Sequence, residues 1–432
     1  MKKFLICIAV VFGIVAIIWQ ATEPPGYYTL RGHVFGEPSP ELMAANIGDV
    51  ISTEVITIAP EVPGQDEIIQ LPGTDKVLVS ARDEWIWTVD LVTGKAERFA
   101  LAPLSPTGAK LVPGEPYQVY FCMARLDWNQ YPGKTPGLYR LDLNTRKFTE
   151  VITRVPLTGK MHHNGLELPN FRNPEEVMVY PQPYRETELA ALDASNSRPM
   201  QFCNDLDVTP DGKHIYITEP YSNPEASSGL GALLEGVTLA RNGRVWRFAT
   251  ESGKVGLSVE NIVFADGILL ELDASGQETG LLITETTNFQ IGRAHLRGDT
   301  AGRYEVLWQD LPGLPDGLDR DAEGRVWVGL IKDRTPVVTW LHAHPWIKPL
   351  VLRLPADKLP VARETGIMVL SPDATEVIAY SHHNGSRVVD ISVAAPAGDK
   401  LFLPSFYKNN QGLHYMDINA VFARVDKAKV HH

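Results

Sequence analysis

Cysteine is scarce, three in 432 residues, and no Cys/His cluster has the spacing of a zinc site. The chain also lacks a Gly-x-Ser-x-Gly elbow, a phosphate loop and a dinucleotide fingerprint in a supporting βα context. Covalent serine catalysis and nucleotide cofactors are therefore disfavoured. Positive charge is in deficit: 40 Lys and Arg stand against 52 Asp and Glu, a net charge of −12. Nucleic acid is excluded as the main partner, because phosphate binding needs a basic surface. A cation site fits that balance better. Sustained helical periodicity is absent after Trp19.

What is present begins with the N-terminus. Lys2 and Lys3 precede an unbroken apolar run from Phe4 to Trp19, followed by the polar, Pro-rich stretch Gln20–Gly26. The run is slightly short for a spanning helix, and its length also suits a signal peptide. Trp19 sits two before Ala21, where cleavage wants a small residue. The expectation is an uncleaved transmembrane helix over residues 1–22, with a cleaved signal as the alternative. Basic residues before the run keep the N-terminus cytoplasmic and place the remainder on the extracytoplasmic side. In that oxidising space Cys122 and Cys203 either pair or remain buried thiols.

After a lead-in over residues 23–53, one unit recurs. A Gly- or Asp-marked turn opens a short apolar strand, and a second alternating strand closes at a polar turn. Lys76–Ser80 and Trp85–Asp90 form one such pair, followed by Thr93-Gly94-Lys95. Leu138–Leu143, His214–Thr218, Arg244–Ala249, Val326–Leu330, Leu350–Leu354, Leu401–Ser405 and Leu413–Ile418 continue the series. Period-two alternation between regular turns reads as antiparallel strands. A repeat of about 50 residues built from strands points to a β-propeller, which hides its sheet edges by radial closure. Six blades over residues 54–425 account for the length, and a pair of β-sandwiches is the alternative. Residues 160–197 and Pro220–Glu235 interrupt the rhythm and read as rim loops.

Four segments carry a resemblance: Phe202-Cys203-Asn204-Asp205-Leu206-Asp207-Val208-Thr209-Pro210-Asp211-Gly212; Val263-Phe264-Ala265-Asp266-Gly267-Ile268 leading to Thr284-Glu285; Leu311-Pro312-Gly313-Leu314-Pro315-Asp316-Gly317-Leu318; and Pro345-Trp346-Ile347-Lys348-Pro349. In order and spacing they resemble the strictosidine synthase-like family. That family is an all-β, six-bladed β-propeller class within the wider gluconolactonase, regucalcin and paraoxonase superfamily. The resemblance implies a divalent metal, calcium first, at the inner end of the central channel. Carried over by motif, its ligands become Asp66 or Glu67, Asn204, Asp266 and Asp316, a set of hard oxygen donors that suits calcium or magnesium. Asp266 departs from the family, which has Asn there.

The bases that the resemblance would supply are missing. Ala394–Leu401 holds no Glu where strictosidine synthases have one, and Thr107 precedes Gly108 where paraoxonases have His. Strictosidine synthase activity is therefore not expected. His162 and His163 in the first rim loop, with Glu219 and Glu285 at strand ends, are the replacement candidates. The implied chemistry is metal-assisted hydrolysis of a small-molecule ester or lactone. A non-catalytic, metal-stabilised propeller that binds a lipid-like or protein partner is the alternative. Oligomeric state is left open.

Overall fold

The computed structural model describes residues 30–125, 133–158, 176–180, 191–221, 228–354 and 361–430, with short pieces at 160–161 and 167–168 and isolated residues between 10 and 17 and at 359. Among these, six antiparallel sheets of four or five strands follow one another along the chain. Their inner strands are Gln65–Gln70, Ser105–Leu111, Leu206–Val208, Ala265–Leu272, Gly313–Arg320 and Ala395–Ala397. The architecture is an all-β, six-bladed propeller. Blade 6 takes its outer strand from the start of the chain: Ile56–Ile58 pairs with Leu413–Asp417, Ile56 opposite Tyr415. This joint closes the ring and leaves no free sheet edge between first and last blades.

Apolar faces of adjacent blades supply the core. Leu269, Leu282 and Ile291 of blade 4 pack on Val326, Val328 and Met368 of blade 5, while Trp246 and Ile217 of blade 3 meet Leu138 and Cys122 of blade 2. A disulfide joins Cys122 to Cys203, crossing from blade 2 to the segment that opens blade 3. It resolves the choice that the sequence leaves open.

Two expectations fail. Leu350–Leu354 is not a strand: Pro336–Ala343 is a helix, and Lys348–Val351 a second short one. Thr335 caps the first, its hydroxyl accepting from Val338 N, with Pro336 at the opening position where a missing N–H costs nothing. Helical structure after Trp19 is also present in Ser228–Thr238 and Ile418–Val430. The second of these carries Ile418, Val421, Phe422 and Val425 at helical spacing on the blade 5–6 core, where Phe422 meets Trp327 edge-on at 5.9 Å. The lead-in over residues 23–53 carries helices as well. Its helices Pro40–Ala44 and Val50–Glu54 bury Leu42, Val50 and Ile51 against blade 5. No helix among the described residues is long and apolar enough to cross a membrane; most of the Phe4–Trp19 run lies outside them.

Candidate functional site

All six blades contribute to one small cavity at the leading ends of the inner strands. It is lined by Asp66 and Glu67 (blade 1), Gly108 (blade 2), Asn204 and Asp205 (blade 3), Asp266 (blade 4), Asp316 and Gly317 (blade 5), and Ser392 and Val393 (blade 6). Its volume is about 20 Å³, room for one water or ion. A wider open cleft of about 400 Å³ lies between blades 2 and 3 at the opposite end of the strands, far from these carboxylates.

Local backbone irregularity delivers these side chains. In four inner strands the ladder slips where the site residue sits: between Gln65 and Ile68, Pro106 and Ala109, Ala265 and Ile268, and Pro315 and Leu318. Such bulges twist a strand and re-aim its side chains. Glycine follows the site residue because neighbouring inner strands nearly touch there. A Cβ on Gly267 would stand 2.4 Å from the Asp316 carbonyl oxygen, and one on Gly108 2.4 Å from Asp205 Oδ1.

A hydroxyl on each second strand then ties one blade's site residue to the next. Thr218 Oγ1 accepts from Asp205 N at 2.9 Å and donates to the Asp266 carbonyl at 2.7 Å. Thr284 Oγ1 repeats the device one blade later, accepting from Gly267 N at 2.7 Å and donating to the Asp316 carbonyl at 2.8 Å. Both threonines sit in the same tripeptide, Ile-Thr-Glu, at 217–219 and 283–285. That repeated signal was available in the sequence and went unused.

The electrostatics follow from crowding acids at a dry point. Burial, then the charges of Asp266 and Asp205, push the Asp66 carboxyl up to about 7. Asp205 is likewise pushed up to about 7 by burial, against the pull of Lys110 and two backbone N–H groups. Asp266 and Asp316 hydrogen-bond to each other, so the pair holds a proton. Burial raises Asp266 to about 6 against bonds from Thr286 and Asp316, and burial with the charges of Asp266 and Asp66 drives Asp316 well above the carboxylate range. Among the described residues, the side-chain amide of the half-buried Asn204 finds no hydrogen-bond partner, whereas its backbone N donates to the Thr218 carbonyl at 3.1 Å.

Glu67, Asp205, Asp207 and Asp319 surround Lys110 deeper in the channel. The Lys110 ammonium lies 3.2 Å from Asp319 Oδ1. Burial opposes its charge, but Asp319, Asp207, Glu67 and Asp205 outweigh burial and raise its pKa. Both Asp205 oxygens are already engaged, by Leu206 N at 2.8 Å and Ile268 N at 3.0 Å. Glu67 accepts from Ile68 N at 2.9 Å.

The sequence-predicted residues thus divide. Asp66, Glu67, Asn204, Asp266 and Asp316 meet in the cavity. Glu219 and Glu285 do not line it, because their carboxylates are consumed as struts. Glu219 takes both Arg198 terminal nitrogens at 2.8 Å, Trp246 Nε1 at 2.9 Å and Gln201 N at 2.9 Å. Glu285 accepts from Tyr304 at 2.8 Å and Val263 N at 3.1 Å. His162 and His163 lie outside the described residues. Asp205, Ser392 and Gly108 were not foreseen as site residues.

The donors fit a hard divalent cation on two observations. Carboxylates and a side-chain amide converge on a space of ion size, and burial with mutual repulsion raises the acids there, a penalty that a cation would relieve. Among the described residues, no three His, Cys, Asp or Glu side chains already stand in a metal-holding group; Asp266 instead accepts from the Thr286 hydroxyl at 2.8 Å.

Residues 171–340 match the family model described as SMP-30/Gluconolactonase/LRE-like region, a stretch that holds Asn204, Asp266 and Asp316. The adipocyte plasma membrane-associated protein of Danio rerio is 32% identical over 216 residues, 48% of this chain and 50% of that protein. Protein STRICTOSIDINE SYNTHASE-LIKE 13 of Arabidopsis thaliana is 34% identical over 170 residues, 39% and 40% of the two chains. The chain matches half the length, or less, of these curated relatives. A solved calcium-binding protein, regucalcin, from Agrobacterium tumefaciens covers 84% of this chain and 92% of its own, at 14% identity and a TM-score of 0.48. The resemblance to strictosidine synthase-like and gluconolactonase-like propellers is thereby shown.

Proposed function

We propose that this propeller holds a divalent cation, calcium, in the channel mouth through Asn204, Asp266 and Asp316, and uses the site to hydrolyse an ester or lactone. The observation that carries the reading is the meeting of carboxylates and a side-chain amide from separate blades around a space of ion size. A bound cation would supply Lewis acidity to the substrate carbonyl. Asp66 takes the remaining role. It is half-buried at the same cavity, where its carboxylate stands beside the place a bound cation and its water would take, and so could accept the water's proton. The Thr218 and Thr284 bonds hold the backbone of Asp266 and Asp316 rigid during that transfer. The test is turnover of a panel of aryl esters and lactones by the full chain, with and without chelator. Activity that survives chelation would overturn the reading.

A second reading rests on cavity size. With space of about 20 Å³ at the carboxylates, any substrate must lie in front of the cavity, and Glu219 and Glu285 are occupied. A propeller that is only stabilised by the cation, and binds a lipid-like or protein partner at its mouth, agrees with both facts. No turnover in the panel, together with chelator-sensitive melting, selects it. We further read Phe4–Trp19 as an uncleaved anchor with the propeller on the extracytoplasmic side, supported by the lysines before the run and by the membrane association in the name of the Danio rerio relative. Resistance of the full chain to alkaline extraction is expected, and a native N-terminus near residue 22 would refute it.

A further inference from the structure

Glu67 of blade 1, Asp205 and Asp207 of blade 3, and Asp319 of blade 5 form a second carboxylate level below the mouth. Each is braced by its own backbone, accepting from the N–H of the residue that follows. Ile68 N reaches Glu67 at 2.9 Å and Leu206 N reaches Asp205 at 2.8 Å. Val208 N reaches Asp207 at 2.8 Å and Arg320 N reaches Asp319 at 2.9 Å. Blade 4 adds Ile268 N on Asp205 at 3.0 Å and Leu270 N on Asp207 at 2.7 Å. These charge-assisted bonds fix the ring through main chain rather than through a counterion.

A cation of the chain itself enters the ring. Lys110, on the blade 2 inner strand, sets its ammonium 3.2 Å from Asp319 Oδ1, and the charges of Asp207, Glu67 and Asp205 act on it as well. Arg320 lies next along the channel, but its Nη1 is taken by the Gly324 and Pro372 carbonyls. Asp205 joins the two levels. It lines the mouth cavity with Asp66, Asp266 and Asp316, and its charge acts on Asp66, Asp316 and Lys110 alike.

We infer that the Lys110 ammonium occupies a second cation position in the channel and bars a divalent ion from it. Oxygen donors from three blades converge there as they do at the mouth, a set that suits calcium once the ammonium is gone. Tethered to the blade 2 strand, Lys110 holds that place without the entropy loss that capture of a free ion costs. A second ion beside it would meet like charge in a channel that screens less than water. The inference rests on the mouth reading only for the first ion. Its consequence is that calcium acts on this protein through one site, without cooperativity, and Lys110 is the residue that sets that count.

The test is calorimetric titration of the metal-free full chain with calcium at pH 8, with bound calcium counted by elemental analysis. Methionine keeps the stem of Lys110 and drops the ammonium. We expect one ion in the wild type and in Lys110→Arg, two in Lys110→Met, and one in Lys110→Met/Asp316→Asn, which lacks the mouth site. In chelator Lys110→Met should melt below the wild type, because its acids then repel one another without a cation, and calcium should restore the loss. If Lys110→Met does not accumulate free of calcium, it is prepared in calcium and its metal counted after gel filtration. Two ions in the wild type, or one in Lys110→Met beside one in the wild type, overturn the inference and leave the mouth reading standing. So does a Lys110→Met chain that fails to fold even in calcium. No ion in the wild type with one in Lys110→Met does the reverse, and none in either removes both.

Discussion

Chelation at different pH values is the sharpest probe of the carboxylate cavity. In the chelated protein Asp66 and Asp205 keep their protons up to about pH 7 and Asp266 up to about 6, whereas in the unfolded chain each ionises near 3.9. Their folded pKa values are raised, so the native state binds more protons than the unfolded one from about pH 4 to pH 7. Stability is greatest below that window and is lost as pH rises through it. A shift of about three units is worth roughly 4 kcal/mol for one isolated group. These groups sit in one another's fields, so the set loses less than the sum of its members. At roughly 2.1 cal/mol/K per residue of unfolding entropy, one such group alone is worth about 4 °C in Tm for a chain of this length.

Buried histidines run the other way. His342 and His414 are pushed down to about 3 and about 4, first by burial, and favour the folded state as pH rises to 6.5. Carboxyls held low in exposed turns, such as Asp90 and Asp142, are ionised throughout pH 5–8 and add no slope. The quantity to measure is therefore the difference in Tm between calcium and chelator, in which the histidines cancel. Calcium binds the ionised cluster, so its affinity rises as protons leave. A hundredfold excess over Kd adds about 2.7 kcal/mol, about 3 °C. The gap should be small at pH 5, widen toward pH 8 and vanish in Asp316→Asn. A gap that is absent, or constant from pH 5 to 8, refutes the reasoning.

Asp266→Asn removes one charge and leaves an amide, the residue type that the resemblance implies there. Calcium affinity should fall, and the chelated protein should melt higher at pH 8 than wild type; titration calorimetry and melting check both. Asp66→Asn should abolish ester turnover while calcium affinity changes less than in Asp316→Asn, because an amide cannot accept the water's proton. Cys122→Ser/Cys203→Ser opens a link across 81 residues, worth about 4.5 kcal/mol by loop entropy, and should lower Tm by about 5 °C. Glu219→Gln strands a buried guanidinium and should cost roughly 3–5 kcal/mol in denaturant melts with calcium affinity unchanged.

The propeller was legible because its signal is repeated. Each blade spells a turn and an alternating strand, and Trp85–Asp90 was placed to the residue. Five cavity residues, Asp66, Glu67, Asn204, Asp266 and Asp316, were legible for a related reason: each sits in or beside a short motif opening an inner strand, Asp-Gly at 266 and 316 above all. The helices were obscured by different physics. Ser228–Thr238 contains three glycines, which weaken any helical pattern. Leu350–Leu354 is apolar at nearly every position, and a short apolar run does not reveal its period. The structure turns it into the end of the short helix Lys348–Val351 and a following turn. Glu219 and Glu285 sit at strand ends on the correct end of the propeller, yet their partners, Arg198 and Tyr304, lie 21 and 19 residues away. No local pattern announces that a carboxylate is already spent.

The channel shows why the mouth invites a cation when its depth does not. Both levels gather carboxylates from several blades. At the deeper level Lys110 stands among Glu67, Asp207 and Asp319, so the chain carries its own counterion and those acids need nothing from solution. At the mouth no basic side chain of the described residues forms an ion pair with Asp266 or Asp316, and the pair meets its charge by keeping a proton. A proton is a poor substitute. It satisfies two carboxyls at one point and leaves the Asn204 amide without a partner, whereas a divalent ion would engage all three side chains together. An asparagine at position 266 would ease the crowding without a cation; the aspartate there makes the cation-free state costlier as pH rises and so strengthens the demand for one. The chain has neutralised one ring of acids from within and left the ring nearest the exit for an ion from outside.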